Sequence, residues 1–134
     1  MHIDGRLVAS QPLETAPLVQ RYFLTNGDIH DSQRMRLTDY ETDRLLVFLA
    51  AKLARKRREN GVKLGYPETV ALISDEILEA ARAGTPYKEV LDVGRTAVDK
   101  EDVLDGVPAM VDTVQVEALF PEGFTLVTLT DPFE

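Results

Sequence analysis

Val114-Gln115-Val116-Glu117-Ala118-Leu119-Phe120-Pro121-Glu122-Gly123-Phe124-Thr125-Leu126-Val127-Thr128-Leu129 is where the hydrophobic period of this chain changes. Val114, Val116, Ala118 and Phe120 alternate with Gln115, Glu117 and Leu119, the period of a half-buried strand. Pro121-Glu122-Gly123 reads as a three-residue turn with Gly at the left-handed position. The chain then returns through Phe124–Leu129, so the segment is a β-hairpin. A hairpin alone is marginal in water. It must pack on other elements, gain a strand or meet another chain. The run Phe124–Leu129 is apolar on both faces, which predicts cover on both sides.

Upstream of the hairpin the period is helical. Thr38 followed by Glu41 forms a capping box that starts a first helix. In it Leu45, Leu49 and Leu53 recur every four residues beside Leu46 and Ala50, giving one apolar face. Arg55, Lys56, Arg57 and Arg58 crowd its last turn, where cations complement the helix dipole, and Asn60-Gly61 is the stop. A second helix begins at Pro67. It carries Val70, Ala71, Leu72, Ile73, Ile77, Leu78, Ala80 and Ala81 up to Gly84, apolar most of the way round, and is expected to be central. A third follows Thr85-Pro86 with Val90, Leu91 and Val93, and Gly94 is expected to end or bend it. A short fourth begins near Asp99 and closes at Gly106-Val107-Pro108. The fold class is therefore α+β, mostly helical: a bundle of about four helices followed by a C-terminal β-hairpin. Leu45, Leu49, Leu53, Ile73, Ile77 and Val90 are the expected core.

Residues 1–34 differ from the rest. They hold Pro12, Pro17 and the turn signal Asn26-Gly27-Asp28, with two short apolar runs, Arg6-Leu7-Val8-Ala9 and Tyr22-Phe23-Leu24, and no sustained period. The organisation is an irregular N-terminal segment, 1–34, before a domain at 35–134. The 134 residues suit one domain. No apolar run approaches the roughly 20 residues that span a bilayer. The start Met1-His2-Ile3-Asp4-Gly5-Arg6 lacks a signal-peptide pattern, and the expected location is the cytoplasm. The net charge of −8 opposes nucleic acid or an anionic membrane as partner.

A search for catalytic chemistry returns little. There is no Cys, and the two histidines, His2 and His30, lie in the N-terminal segment. The domain at 35–134 therefore has neither imidazole nor thiolate for a transition metal, and no Ser-His-Asp or Cys-His arrangement. No phosphate-cradling glycine loop occurs. His2 and His30 are read as solvated loop residues. The carboxylate groups Asp75-Glu76 with Glu79, and Glu101-Asp102 with Asp105, read as solvated helix faces and helix starts. Arg55–Arg58 is read as a helix end wrapping round to acidic neighbours, because four successive helical residues point in four directions. The catalytic, cofactor-binding and metal-binding residues of this chain are accordingly expected to be none.

From Met35 onward the chain resembles the urease gamma subunit. Met35-Arg36-Leu37-Thr38 is similar to that family's usual start, and Gly61-Val62-Lys63-Leu64-Gly65-Tyr66-Pro67-Glu68 to its loop into the second helix. Ala71-Leu72-Ile73-Ser74 and Glu76-Ile77-Leu78-Glu79 follow in register. Glu101-Asp102-Val103-Leu104-Asp105-Gly106-Val107-Pro108 resembles its most distinctive segment. Val114–Ala118, Phe120–Gly123 and Leu126-Val127-Thr128 match its hairpin. The resemblance covers about 100 of 134 residues in unbroken order.

This resemblance implies a structural chain of a complex that hydrolyses urea to ammonia and carbamate. The family's two nickel ions, held by histidines and a carbamylated lysine of the large alpha subunit, would do the chemistry. The implied partners are the alpha and beta urease subunits, in a trimer of alpha-beta-gamma units, and the hairpin is expected at or near a subunit contact. The end at Glu134 implies separate gamma and beta chains. Residues 1–34 precede the family's start. They are a true extension, an upstream start or non-native residues, with Met35 at the family's start favouring the second. Thr130 stands where the family often has His, and Gly65 and Thr69 vary the loop and helix start. Two further readings stand beside this one: an autonomous helical interaction module without urease partners, and a small nucleic-acid-binding regulator using Arg55–Arg58.

Overall fold

The computed structural model describes residues 36–134. The readings made of His2, His30 and Tyr22-Phe23-Leu24 lie outside the described residues. Among the described residues, four helices precede a two-stranded antiparallel hairpin: α1 Asp39–Glu59, α2 Tyr66–Arg82, α3 Tyr87–Thr96 and α4 Val107–Met110, then β1 Thr113–Phe120 and β2 Gly123–Thr130. A single 3-10 turn, Lys100–Asp102, stands between α3 and α4. The α+β class expected from the change of period is the observed one.

Helix α2 is the centre. It contacts α1 on one side and α3 and β1 on others, while α3 also meets β2. Leu72, Ile73, Ile77, Leu78 and Ala81 of α2 are buried together with Val90, Val114, Ala118, Phe120, Val127 and Leu129. Burying one such aliphatic side chain contributes about 1.5–3 kcal/mol, so this cluster dominates the stability of the domain. The N-terminus of α2 is closed by Glu68, whose Oε1 accepts the Gly65 N–H at 2.7 Å. The Thr69 hydroxyl donates to the Gly65 carbonyl at 2.8 Å. Pro67 sits in the first turn, where its missing N–H costs nothing.

Five expectations are corrected. Leu45, Leu49 and Leu53 are not core: they are 47%, 59% and 46% exposed. The face of α1 that meets α2 carries Ala51 and Ala54, both fully buried, with Val47 half-buried. Small residues let the two helices come close, and the large leucines are turned the other way. A period alone identifies an apolar face but not which neighbour covers it.

Gly94 does not end α3, which runs on to Thr96. Its role is close approach. A Cβ built there would stand 2.7 Å from Leu129 Cδ2 and 3.0 Å from Ile77 Cδ1, so only glycine lets α3 settle against both α2 and β2.

The fourth helix is not continuous. Asp99–Asp102 makes only a 3-10 turn, Val103 forms a parallel bridge with the buried Leu64, and Val107–Met110 is a separate helical turn. Two backbone hydrogen bonds of 2.9 Å, Leu64 N–H to the Asp102 carbonyl and Leu104 N–H to the Leu64 carbonyl, fasten the loop after α1 to this region. Gly106-Val107-Pro108 therefore opens a helical turn instead of closing one.

The hairpin turn is shorter than expected. Phe120 pairs with Gly123, leaving Pro121-Glu122 as a two-residue connection. Gly123 adopts φ 132°, which a β-carbon would oppose. Val127 and Leu129 face the helices, whereas Phe124 and Leu126 are each 55% exposed. Within this chain the hairpin is thus covered on one face.

Candidate subunit interface

The residues of α1 divide into two sets by what they touch. The first set binds α2. Arg44 reaches Asp75 at 2.8 Å and Glu79 at 2.5 Å, and Arg55 reaches Asp75 at 2.7 Å and Glu76 at 2.5 Å. Asp75 is 2% exposed. Its carboxylate is taken out of water and held between two guanidinium groups, the compensation a buried charge requires. Asp75 is therefore not part of a solvated face, as its sequence neighbourhood suggests, but the centre of an ion network that fixes the register of α1 on α2. Burial alone would lower the Arg55 pKa. Hydrogen bonds and charge from Asp75 and Glu76 outweigh it and hold the group above its ordinary value.

The basic run resolves in the same way. Arg57 pairs with Glu68. Arg58 donates to the Ala97 carbonyl at 2.9 Å and lies 3.7 Å from Asp102. Three of the four cations at Arg55–Arg58 thus meet acidic groups of their own chain, which removes them from a nucleic-acid stripe. The Glu68 carboxyl is held below its ordinary value, first by the Gly65 N–H and then by Arg57. At the other end of α1, the Tyr40 hydroxyl donates to the Glu117 carbonyl at 3.0 Å. The Tyr40 ring meets Phe124 edge-on, with centroids 4.9 Å apart.

The second set faces outward. Leu45, Leu46, Phe48, Leu49 and Leu53 are each between 42% and 59% exposed. A shallow groove runs beside them, lined by Phe48, Leu49, Lys52, Leu53, Arg55, Lys56 and Glu59. Five large apolar side chains on one face of one helix form a contiguous patch, the kind that marks an interaction surface. Lys52 and Lys56 border it and have no acidic partner among the described residues. The sequence pointed to these leucines but assigned them to the core; the signal it missed was the alanines Ala51 and Ala54 on the opposite side.

Of the other carboxylates singled out, Glu101 and Asp105 are exposed and Asp102 half-buried. Asp102 Oδ2 accepts the Asp99 N–H at 3.3 Å, a turn-capping role. Among the described residues no three His, Cys, Asp or Glu side chains converge as a metal cage would need. No described helix is long and apolar enough to cross a membrane.

The family model for the urease gamma subunit matches residues 35–133. This chain belongs to that family. A urease gamma subunit of Corynebacterium kroppenstedtii is 55% identical over 98 residues, covering 73% of this chain and 97% of the relative. One from Natronomonas pharaonis is 53% identical over 98 residues, covering 73% of this chain and 90% of the relative. The matched span contains every element described above, so the outward face of α1 and the hairpin are features of a urease gamma chain.

Proposed function

We propose that this chain is a non-catalytic, structural subunit of urease, placed beside alpha and beta chains in a trimer of alpha-beta-gamma units in the cytoplasm. The observation that carries this reading is the outward face of α1. A chain complete in itself would turn Leu45, Leu49 and Leu53 inward and leave a polar face to water. Here the helix packs through alanines and an ion network and presents its leucines outside, which suits a chain finished by its neighbours.

The division of labour follows from the donor set. Urea hydrolysis in this family needs metal ions that polarise the substrate and lower the pKa of a water. Residues 36–134 hold no His and no Cys, and no three of their carboxylates converge as a metal cage would need. They do not fit a nickel centre, and no step of the reaction is assigned to them. Nickel belongs to the alpha chain in this reading.

The test is native purification of the tagged chain, with mass spectrometry of the intact complex and a urea-hydrolysis assay. Two further urease chains, nickel and ammonia release are expected together. A lone, inactive chain would overturn the subunit reading. Nickel at one equivalent on the isolated chain would overturn its non-catalytic part.

A further inference from the structure

Helix α1 is tied to the domain by a different kind of contact from the other elements. Among the described residues, α2 is the element it packs against most, and its buried side chains are Ala51 and Ala54. Helix α2, by contrast, buries Leu72, Ile73, Ile77 and Leu78. Two alanines remove little apolar surface from water. What fixes α1 in place is mainly polar: Arg44 and Arg55 close on the buried Asp75, and Arg57 pairs with Glu68. Ile77 stands two residues beyond Asp75, about 200° round the helix. It packs against α3 and β2 at Gly94 and Leu129, on the side away from α1. The chain between α1 and α2 has a pivot and a stop. Gly61 takes φ 77°, with nothing within 4 Å of where a Cβ would stand. Three residues on, the backbone of Leu64 is hydrogen-bonded to Asp102 and Leu104.

We infer that α1 is a strap, which comes off α2 as one unit about Gly61 while α2, α3 and the hairpin stay folded, with the Asp75 network as its latch. Elements with few buried apolar contacts open at lower free energy than the core. The latch is weaker than its short distances suggest, because opening returns Asp75 and both guanidinium groups to water and recovers their hydration. The outer leucines Leu45, Leu49 and Leu53 are already about half exposed when the strap is closed, so they oppose its release only weakly.

Amide hydrogen exchange of the full chain, resolved by residue with NMR, tests the strap. In wild type the mid-helix amides of Ala50, Ala51 and Ala54 are expected to be at least about tenfold less protected than those of Ile77 and Val127. Two variants separate the openings. Ile77→Ala weakens the core equally in the closed and strap-open states. Core protection should therefore fall at least about thirtyfold, with protection of α1 unchanged. Asp75→Asn weakens the closed state alone, so protection of α1 should fall at least about tenfold. If Ile77→Ala does not fold, Ile77→Val makes the same comparison at about threefold. Equal protection of α1 and core in wild type, or a fall of both by the same factor in the Ile77 variant, would mean one cooperative unit and overturn the inference. Protection of α1 unmoved by Asp75→Asn would overturn the latch. A wild-type chain with no protection at Ile77 and Val127 would overturn the folded core that the strap leaves behind.

Discussion

Asp75 carries more of the α1–α2 contact than any other polar residue. It is buried, yet bound by Arg44 and Arg55 from the facing helix. Asp75→Asn leaves two guanidinium groups without their shared anion, and a loss of roughly 2–4 kcal/mol is expected in urea denaturation. Glu79→Gln is the contrast: its side chain is 67% exposed, and the expected loss is below about 0.5 kcal/mol. Gly94→Ala tests close packing. Alanine improves helix propensity by about 1 kcal/mol, but the added carbon meets Leu129 at 2.7 Å. Overpacking costs about 1–3 kcal/mol, so the net expectation is lower stability, read from the denaturation midpoint. Glu68 gives a pH dependence. Its folded carboxyl lies below the ordinary 4.5, so its contribution is complete above that value and is lost as pH falls through the lower folded one. Glu68→Gln should flatten the acid limb of the stability profile relative to wild type, measured by thermal melts from neutral to acid pH.

At the scale of elements, α1 and α2 are both amphipathic but use their apolar residues differently. Ile77 of α2 is fully buried between α3 and the hairpin, and Leu49 of α1 is 59% exposed. Ile77→Ala is expected to cost about 2–5 kcal/mol, and Leu49→Ala below about 0.5 kcal/mol, in the isolated chain. Comparable losses at the two sites would mean that α1 packs by its leucines after all. The hairpin shows the same contrast within one strand, with Val127 and Leu129 against the helices and Phe124 and Leu126 outward. Tyr40 of α1 meets Phe124 of the outward pair edge-on.

For the whole molecule, the described domain has a closed core and unfinished surfaces. A partner that binds only the folded chain raises its stability by mass action. In thermal melts, a hundredfold excess over the dissociation constant of the alpha and beta chains should add about 2.7 kcal/mol. An unchanged melting temperature under saturating partner would contradict the subunit proposal. The alternation from Val114 to Phe120 and the cap signals at Thr38, Pro67 and Gly84 were enough to read the α+β class, because strand period and helix caps are local properties. Arg55–Arg58 was legible as a helix end for the same reason.

The sequence by itself determined the class of fold, the order of its elements, the centrality of α2 and the family, all of which depend on residues near each other in the chain or on their linear order. Only the tertiary structure decided that α1 faces α2 with Ala51 and Ala54, that Gly94 is a contact and not a stop, and that Asp75 is buried between two arginines. Each of these depends on which surface a distant element covers. A helical period marks an apolar face without saying whether the chain's own core or another chain will meet it.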